Sequence, residues 1–190
     1  PTPAQVVRLG REIAEGLAVA HDHDLVHRDV KPANIWLEAP AGRVKLLDFG
    51  LPRAGNEVSL TRLGMILGTP AYMSPEQIQG KPRPASDQYS LGIVVYEWLS
   101  GDRPFHGSFT ELCTQHLFAS PAPLCEKVPT LAPVVEEVVL TALAKDPHHR
   151  FGSEQAFAHA LEQAYWSEQA HSTAPTVQVT MPPPSVPPMG

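Results

Sequence analysis

Val6, Leu9, Ile13, Leu17 and Ala20 recur at three- and four-residue intervals, the spacing that gathers side chains on one face of an α-helix. Thr2-Pro3-Ala4-Gln5 stands just before this run and reads as a capping box with proline at the first helical position. The pattern predicts one long amphipathic helix from residue 3 to about residue 22. After it the period breaks into short β-prone runs, at residues 25–26, 34–38 and 44–47, separated by turn residues such as Ala41-Gly42. These read as small strands or hairpins. From residue 50 to residue 75 no period holds, and Gly, Pro, Ser and Thr predominate, so a loop of functional length is expected. Helical spacing returns at 86–100, 109–118, 131–144 and 153–166, the last with Ser153 as N-cap and Glu154 behind it. The second half is predicted to be helical, and no internal repeat interrupts it.

Composition narrows this picture. The 190 residues are 43% hydrophobic and 18% charged, as in a folded domain and unlike a chain disordered throughout. A net charge of -6, from 14 Lys and Arg against 20 Asp and Glu, offers no basic surplus for nucleic acid or an anionic membrane. Phosphate chemistry would therefore need local cations. Cys113 and Cys125 form no CxxC and read as free thiols. The longest strongly apolar stretch, 91–99, is too short to span a bilayer and contains Glu97, and no signal-like segment opens the chain. The segment reads as cytoplasmic, and Pro1 in place of Met reads as the start of a fragment or processed chain. Six of the 21 prolines fall in the last 16 residues, where no charge occurs. A domain over 1–166 and a proline-rich, disordered tail over 167–190 are expected.

Asp29, Asn34 and Asp48 lie on predicted strand edges or turns rather than on a polar helix face. His27-Arg28-Asp29-Val30-Lys31-Pro32-Ala33-Asn34, then Asp48-Phe49-Gly50, then Gly68-Thr69-Pro70-Ala71-Tyr72-Met73-Ser74-Pro75-Glu76 follow in order. Together they resemble the catalytic loop, magnesium loop and peptide-pocket segment of the protein kinase family. The resemblance implies an α+β, mainly α fold: the C-terminal lobe of a bacterial-type serine/threonine kinase, with short β hairpins beside the catalytic loop. It places a catalytic loop at 27–34, a magnesium loop and activation segment at 48–76 and a helical body at 86–166. It also implies ATP and Mg2+ as cofactors, and proteins with Ser or Thr acceptors as substrates.

By the same resemblance Asp29 is the catalytic base, a carboxylate able to accept a proton from the attacking hydroxyl. Asn34 and Asp48 offer the hard oxygens magnesium prefers. Lys31 neutralises the transferring phosphate, Thr69 bridges Asp29 and Lys31, and Trp36 points toward the adenine. Arg28 and Arg53 are expected to clamp a phosphate on Thr61, or secondarily on Ser59. His27 and Phe49 are expected in an apolar column, Glu76 and Arg150 in a buried ion pair, and Asp87 at the head of the central helix, bonded to the catalytic-loop backbone. His21 and His23 read as a solvated helix end rather than a zinc site.

Two departures qualify the resemblance. Pro52 fixes φ and removes an N–H just after the magnesium loop. Only 28 residues precede Asp29, and no G-x-G-x-x-G occurs in the sequence, so the strand-rich N-terminal lobe is expected to be a missing partner. A kinase lobe inactive by itself is the first reading. A truncated pseudokinase acting as a non-catalytic protein-interaction module is the alternative, and phosphotransfer to small molecules is disfavoured by the segment from Gly68 to Glu76.

Overall fold

In the computed structural model, which describes residues 1–38, 42–49 and 70–172 with side chains as far as Ser167, the chain opens on helix α1 (Pro3–His21). The Gln5 amide donates to Thr2 Oγ1 at 3.3 Å and the Thr2 amide to Gln5 Oε1 at 2.8 Å, so two of the helix's orphan donors are satisfied. Val6, Leu9, Ile13 and Leu17 are buried along one face. That face packs on the last helix, α7 (Glu154–Ser172), and on the central helix, α3 (Pro84–Ser100).

Helix α3 is buried on every side from Ser86 to Tyr96, which is why its sequence shows no polar face. Gly92 lets it approach its neighbour closely: a Cβ there would stand 3.0 Å from Leu143 Cδ2 and 3.2 Å from Ala142 Cβ. Leu143 follows α6 (Pro133–Ala142), which packs on both α3 and α7. The helix α4 (Phe109–Phe118) is capped by Ser108, whose hydroxyl accepts from the Glu111 amide. Gly101, at φ 78°, ends α3 in the left-handed conformation that glycine adopts without steric cost.

A two-stranded antiparallel hairpin, β1 (Ile35–Glu38) and β2 (Arg43–Leu46), pairs Ile35 with Leu46 and Trp36 with Lys45. Ile35, Val44 and Leu46 pack toward the core, and the Val44 amide donates to Glu12 Oε2 on α1 at 3.1 Å. The hairpin is therefore clamped to the first helix, beside the stretch that carries Asp29.

Several sequence expectations need correction. Residues 25–26 form no strand; the Leu25 amide donates to the Ala20 carbonyl at 3.0 Å and finishes the end of α1 instead. Helix α6 starts at Pro133 rather than 131, since proline suits the first helical turn and disfavours helix before it. Two four-residue helices, α2 (Pro75–Ile78) and α5 (Leu124–Lys127), are too short to show a period. Helix α7 runs on to Ser172, past the boundary expected at residue 166. Among the described residues no helix is long and apolar enough to cross a membrane.

Candidate active site

Asp87, in the first turn of α3, organises the loop that holds Asp29. Its side chain is fully buried, Oδ1 accepts from the Arg28 amide at 2.8 Å, and Oδ2 accepts from the His27 amide at 2.8 Å. His21 Nε2 also donates to Oδ2, at 2.8 Å. The last bond corrects the expectation of a solvated helix end for His21, which partners the buried carboxylate, whereas His23 is exposed as expected. Hydrogen bonds from three donors make that burial tolerable.

The same loop carries Arg28 at φ 66°, in the left-handed region that non-glycine residues seldom adopt. Such a conformation persists where its surroundings over-determine it. Here the Arg28 amide is held by Asp87, and its carbonyl accepts from Gln77 Nε2 of α2 at 2.8 Å. Arg28, the residue before Asp29, is thus tied to the central helix through its amide and to α2 (Pro75–Ile78) through its carbonyl. Gln77 was not singled out from the sequence, and its only sequence signal is its place three residues after the Ser74 cap.

Asp29 is half-buried, and its carboxylate Oδ2 meets Lys31 Nζ at 2.8 Å and Asn34 Nδ2 at 2.9 Å. Asn34 Nδ2 donates also to the Asp29 carbonyl at 2.8 Å. Both partners are acceptors, so the amide nitrogen must face them and the amide oxygen is the atom turned away. A hard oxygen donor is thereby presented on the far side of Asn34, the kind magnesium takes. The Leu47 amide donates to the Asn34 carbonyl at 2.9 Å and the Leu47 carbonyl accepts from His27 Nε2 at 3.0 Å. Asp48, the next residue, is exposed and has φ 54°. The donor set of Asn34 and Asp48 suits a magnesium ion that also takes phosphate oxygens, because that ion is held by one or two carboxylates with substrate phosphates rather than by an all-protein cage. Among the described residues no cluster of three His, Cys, Asp or Glu side chains exists to hold a metal without such help.

His27 uses both ring nitrogens. Nε2 donates to Leu47, and Nδ1 accepts from the Asp29 amide at 3.3 Å. Its ring is fully buried, and it lies 4.6 Å from the Phe49 ring, centroid to centroid. With both nitrogens committed, the ring positions its neighbours and has no free base for chemistry. Trp36 stands on β1 with 60% of its surface exposed. Arg28 has an exposed side chain. Ser59, Thr61, Arg53, Thr69 and Pro52 lie outside the described residues.

Glu76, in α2, meets Arg150 in a two-bond fork: Nη1 to Oε1 at 2.7 Å and Nη2 to Oε2 at 2.9 Å. The Ser86 hydroxyl also donates to Oε1 at 2.7 Å. Arg150 further donates to the carbonyls of Ala144, Ala85 and Lys145. Burial raises the Glu76 carboxyl's pKa, but the bonds and charge of Arg150 outweigh it and hold the group below 4.5.

Glu154 is the opposite case. It is 3% exposed, its Oε2 has no partner among the described residues, and burial pushes its pKa well above 4.5, with Asp87 adding to the rise and Arg150 opposing it. A carboxyl raised in the fold gives stability that is full below the unfolded value and is lost as pH climbs through the folded one. Glu154→Gln should therefore melt like the parent near pH 4 and above it at higher pH, with the gap widening from about 4.5 upward. Thermal melts across pH check this, and a gap constant with pH would contradict it.

The protein kinase domain family matches residues 2–161. Serine/threonine-protein kinase drp72 of Corynebacterium efficiens is 43% identical over 179 residues, covering 92% of this chain and 33% of that protein. PknL of Mycobacterium tuberculosis is 44% identical over 162 residues, covering 84% of this chain and 40% of that protein. The chain thus spans less than half the length of these curated relatives. Among solved structures, the M. tuberculosis PknI kinase domain is 28% identical with a TM-score of 0.67, covering 86% of this chain and 56% of that one. A structure of Rad53 with AMP-PNP is 25% identical with a TM-score of 0.69, covering 85% of this chain and 41% of that one.

Proposed function

The chain belongs to the protein kinase family, and on that premise we propose that it is the catalytic and peptide-binding lobe of a serine/threonine kinase that moves the γ-phosphoryl of ATP to protein hydroxyls. The observation that carries this reading is the arrangement around Asp29: its carboxylate meets Lys31 and the Asn34 amide nitrogen, which leaves the Asn34 amide oxygen outside those bonds. Asp29 accepts the proton of the incoming Ser or Thr hydroxyl as its oxygen bonds to phosphorus and the bond to ADP breaks. Lys31, paired with Asp29 at 2.8 Å, supplies the cation that meets the charge on the transferred group. Asn34 and Asp48 would hold magnesium, which supplies charge neutralisation on the phosphate oxygens. Trp36 offers its exposed face to the adenine ring, and Thr69 supports the base and Lys31. Arg28 and Arg53 receive a phosphate on Thr61 or Ser59, which sets the activation segment.

Positioning and electrostatics supply nearly all catalysis in this reaction. The glycine-rich cover for the phosphates is not among these 190 residues, so the lobe works together with a strand-rich N-terminal lobe. Incubated alone with labelled ATP, magnesium and a basic protein, the chain should show negligible transfer; turnover near about 1 s⁻¹ would overturn the dependence on that lobe. Fused behind a matching N-terminal lobe it should gain transfer and acquire phosphate at Thr61 or Ser59 by mass spectrometry. A folded fusion without transfer would favour the non-catalytic interaction module instead.

A further inference from the structure

Behind the peptide-pocket segment lies a buried polar chain that the phosphotransfer site does not use. His116, on α4, is fully buried, and so is Tyr89, on α3. The Tyr89 hydroxyl stands 3.0 Å from His116 Nδ1. Lys145 Nζ lies 3.3 Å from the same hydroxyl and 3.2 Å from the Gln115 carbonyl, with its charge 4.6 Å from the Phe105 ring centroid. Phe105 also stacks edge-on against His116 at 4.9 Å.

Donor and acceptor bookkeeping fixes the direction of this chain. An ammonium has donors only, so Lys145 donates and the Tyr89 oxygen accepts. The phenol proton then has His116 Nδ1 as its acceptor, and Nδ1 must be unprotonated. Burial, with the Lys145 charge adding to it, pushes the His116 pKa down to about 4, so the ring is neutral and its one proton sits on Nε2. That Nε2 is buried and has no hydrogen bond in the described residues. Helix α4 packs directly on the Pro70–Tyr72 turn of the peptide-pocket segment, where Ala71 is 1% exposed and is the backbone group that acts on the His116 ring without closing a hydrogen bond. The turn is otherwise held by two polar bonds from α3: Ser90 Oγ donates to the Tyr72 carbonyl at 2.7 Å, and the Tyr72 hydroxyl donates to Glu97 at 2.7 Å.

We infer that Lys145, Tyr89 and His116 form a directed hydrogen-bond relay that positions the Pro70–Tyr72 turn, with His116 Nε2–H as the donor reserved for the Ala71 carbonyl. The three are positioning residues for peptide binding, and this role rests on the kinase reading of that segment. The relay joins three helical regions to one turn: Lys145 after α6, Tyr89 in α3 and His116 in α4. A neutral ring flanked by a cation on one side and a backbone carbonyl on the other has one stable proton arrangement, so the turn sees a donor and never a lone pair.

Tyr89→Phe tests this by removing one oxygen from the middle of the relay while keeping the ring. In the purified 190-residue chain, ¹⁵N shifts of the His116 ring should report a neutral Nε2–H tautomer before the change and lose the Nδ1-acceptor signature after it. The Met73 amide closes the turn on the Pro70 carbonyl at 3.1 Å and should exchange with solvent about tenfold faster in the variant, as the loss of one hydrogen bond supports. Amides of Ile93 to Val95 should keep their rates. Lys145→Met should produce the same local change from the other end of the relay. A charged or Nδ1–H His116 in the parent overturns the inference, and so does Met73 exchange that is unchanged or that rises together with α3. None of these measurements requires phosphotransfer. In the fused kinase, Tyr89→Phe should raise KM for a peptide and leave kcat unchanged; an inert fusion with the exchange result intact would refute the kinase reading but not the relay.

Discussion

Asp29→Asn, in the chain fused behind an N-terminal lobe, should lower kcat by at least about 10²-fold, the low end of general-base contributions, while melting stays where it was. The amide is nearly isosteric and keeps one oxygen for Asn34, so the loop's hydrogen bonds survive in part. What disappears is the acceptor for the substrate proton, together with the ion pair to Lys31. That pair spans side chains 20% and 41% exposed, and at such exposure an ion pair gives about 0–1 kcal/mol. Asp87→Asn should behave differently. All three donors to Asp87 converge on two oxygens, so an amide must aim its own N–H at a donor whichever way it turns. The cost is about 1–3 kcal/mol of stability, and activity falls because Arg28 and Asp29 lose their anchor. Kinetics and thermal melts on both variants decide the matter. An early melt with retained rate for Asp29→Asn would remove it from the role of base.

The two carboxylates also show what the sequence made legible. Residues 27–34 carry the resemblance to the kinase catalytic loop within eight positions, so Asp29, Lys31 and Asn34 are singled out together, and the structure joins Asp29 to both of the others. Helices α1 and α4 were legible because each has a capping residue and a local period. The His21 contact was not, since its partner lies 66 residues away and nothing near His21 distinguishes an inward turn from a solvated end. The relay was invisible for the same reason. Tyr89, His116 and Lys145 come from three separate stretches, and each alone is an ordinary aromatic or basic residue in a helical region. Helix α3 hid its own edges: a helix buried on all sides has no polar face to mark where it starts, and it begins at Pro84, two residues before the pattern does.

Breaking the fork between Arg150 and Glu76 should be strongly destabilising. Arg150→Met leaves the Glu76 carboxylate, 5% exposed at its side chain, with the Ser86 hydroxyl as its remaining side-chain donor among the described residues. An uncompensated buried charge of this kind costs about 3–5 kcal/mol, which corresponds to a fall in Tm of about 6–20 °C for a domain of this size. The carbonyls of Ala144, Ala85 and Lys145 lose their guanidinium donor as well. Glu76→Leu added to Arg150→Met removes the orphaned charge and should recover a large part of the loss, though those three carbonyls keep the recovery incomplete. The parent's pH dependence has a definite sign. Glu76 is held below 4.5 in the fold, so its contribution is present above that value and is lost as pH falls through the folded pKa. In Arg150→Met the depression vanishes, burial alone raises the carboxyl, and acid should relieve the variant rather than harm it. Urea melts of the parent, the single and the double variant at two pH values measure all of this. If the single variant loses less than about 1 kcal/mol, the fork does not hold α2 against the helical body, and the Gln77 contact to Arg28 must be anchored by something else.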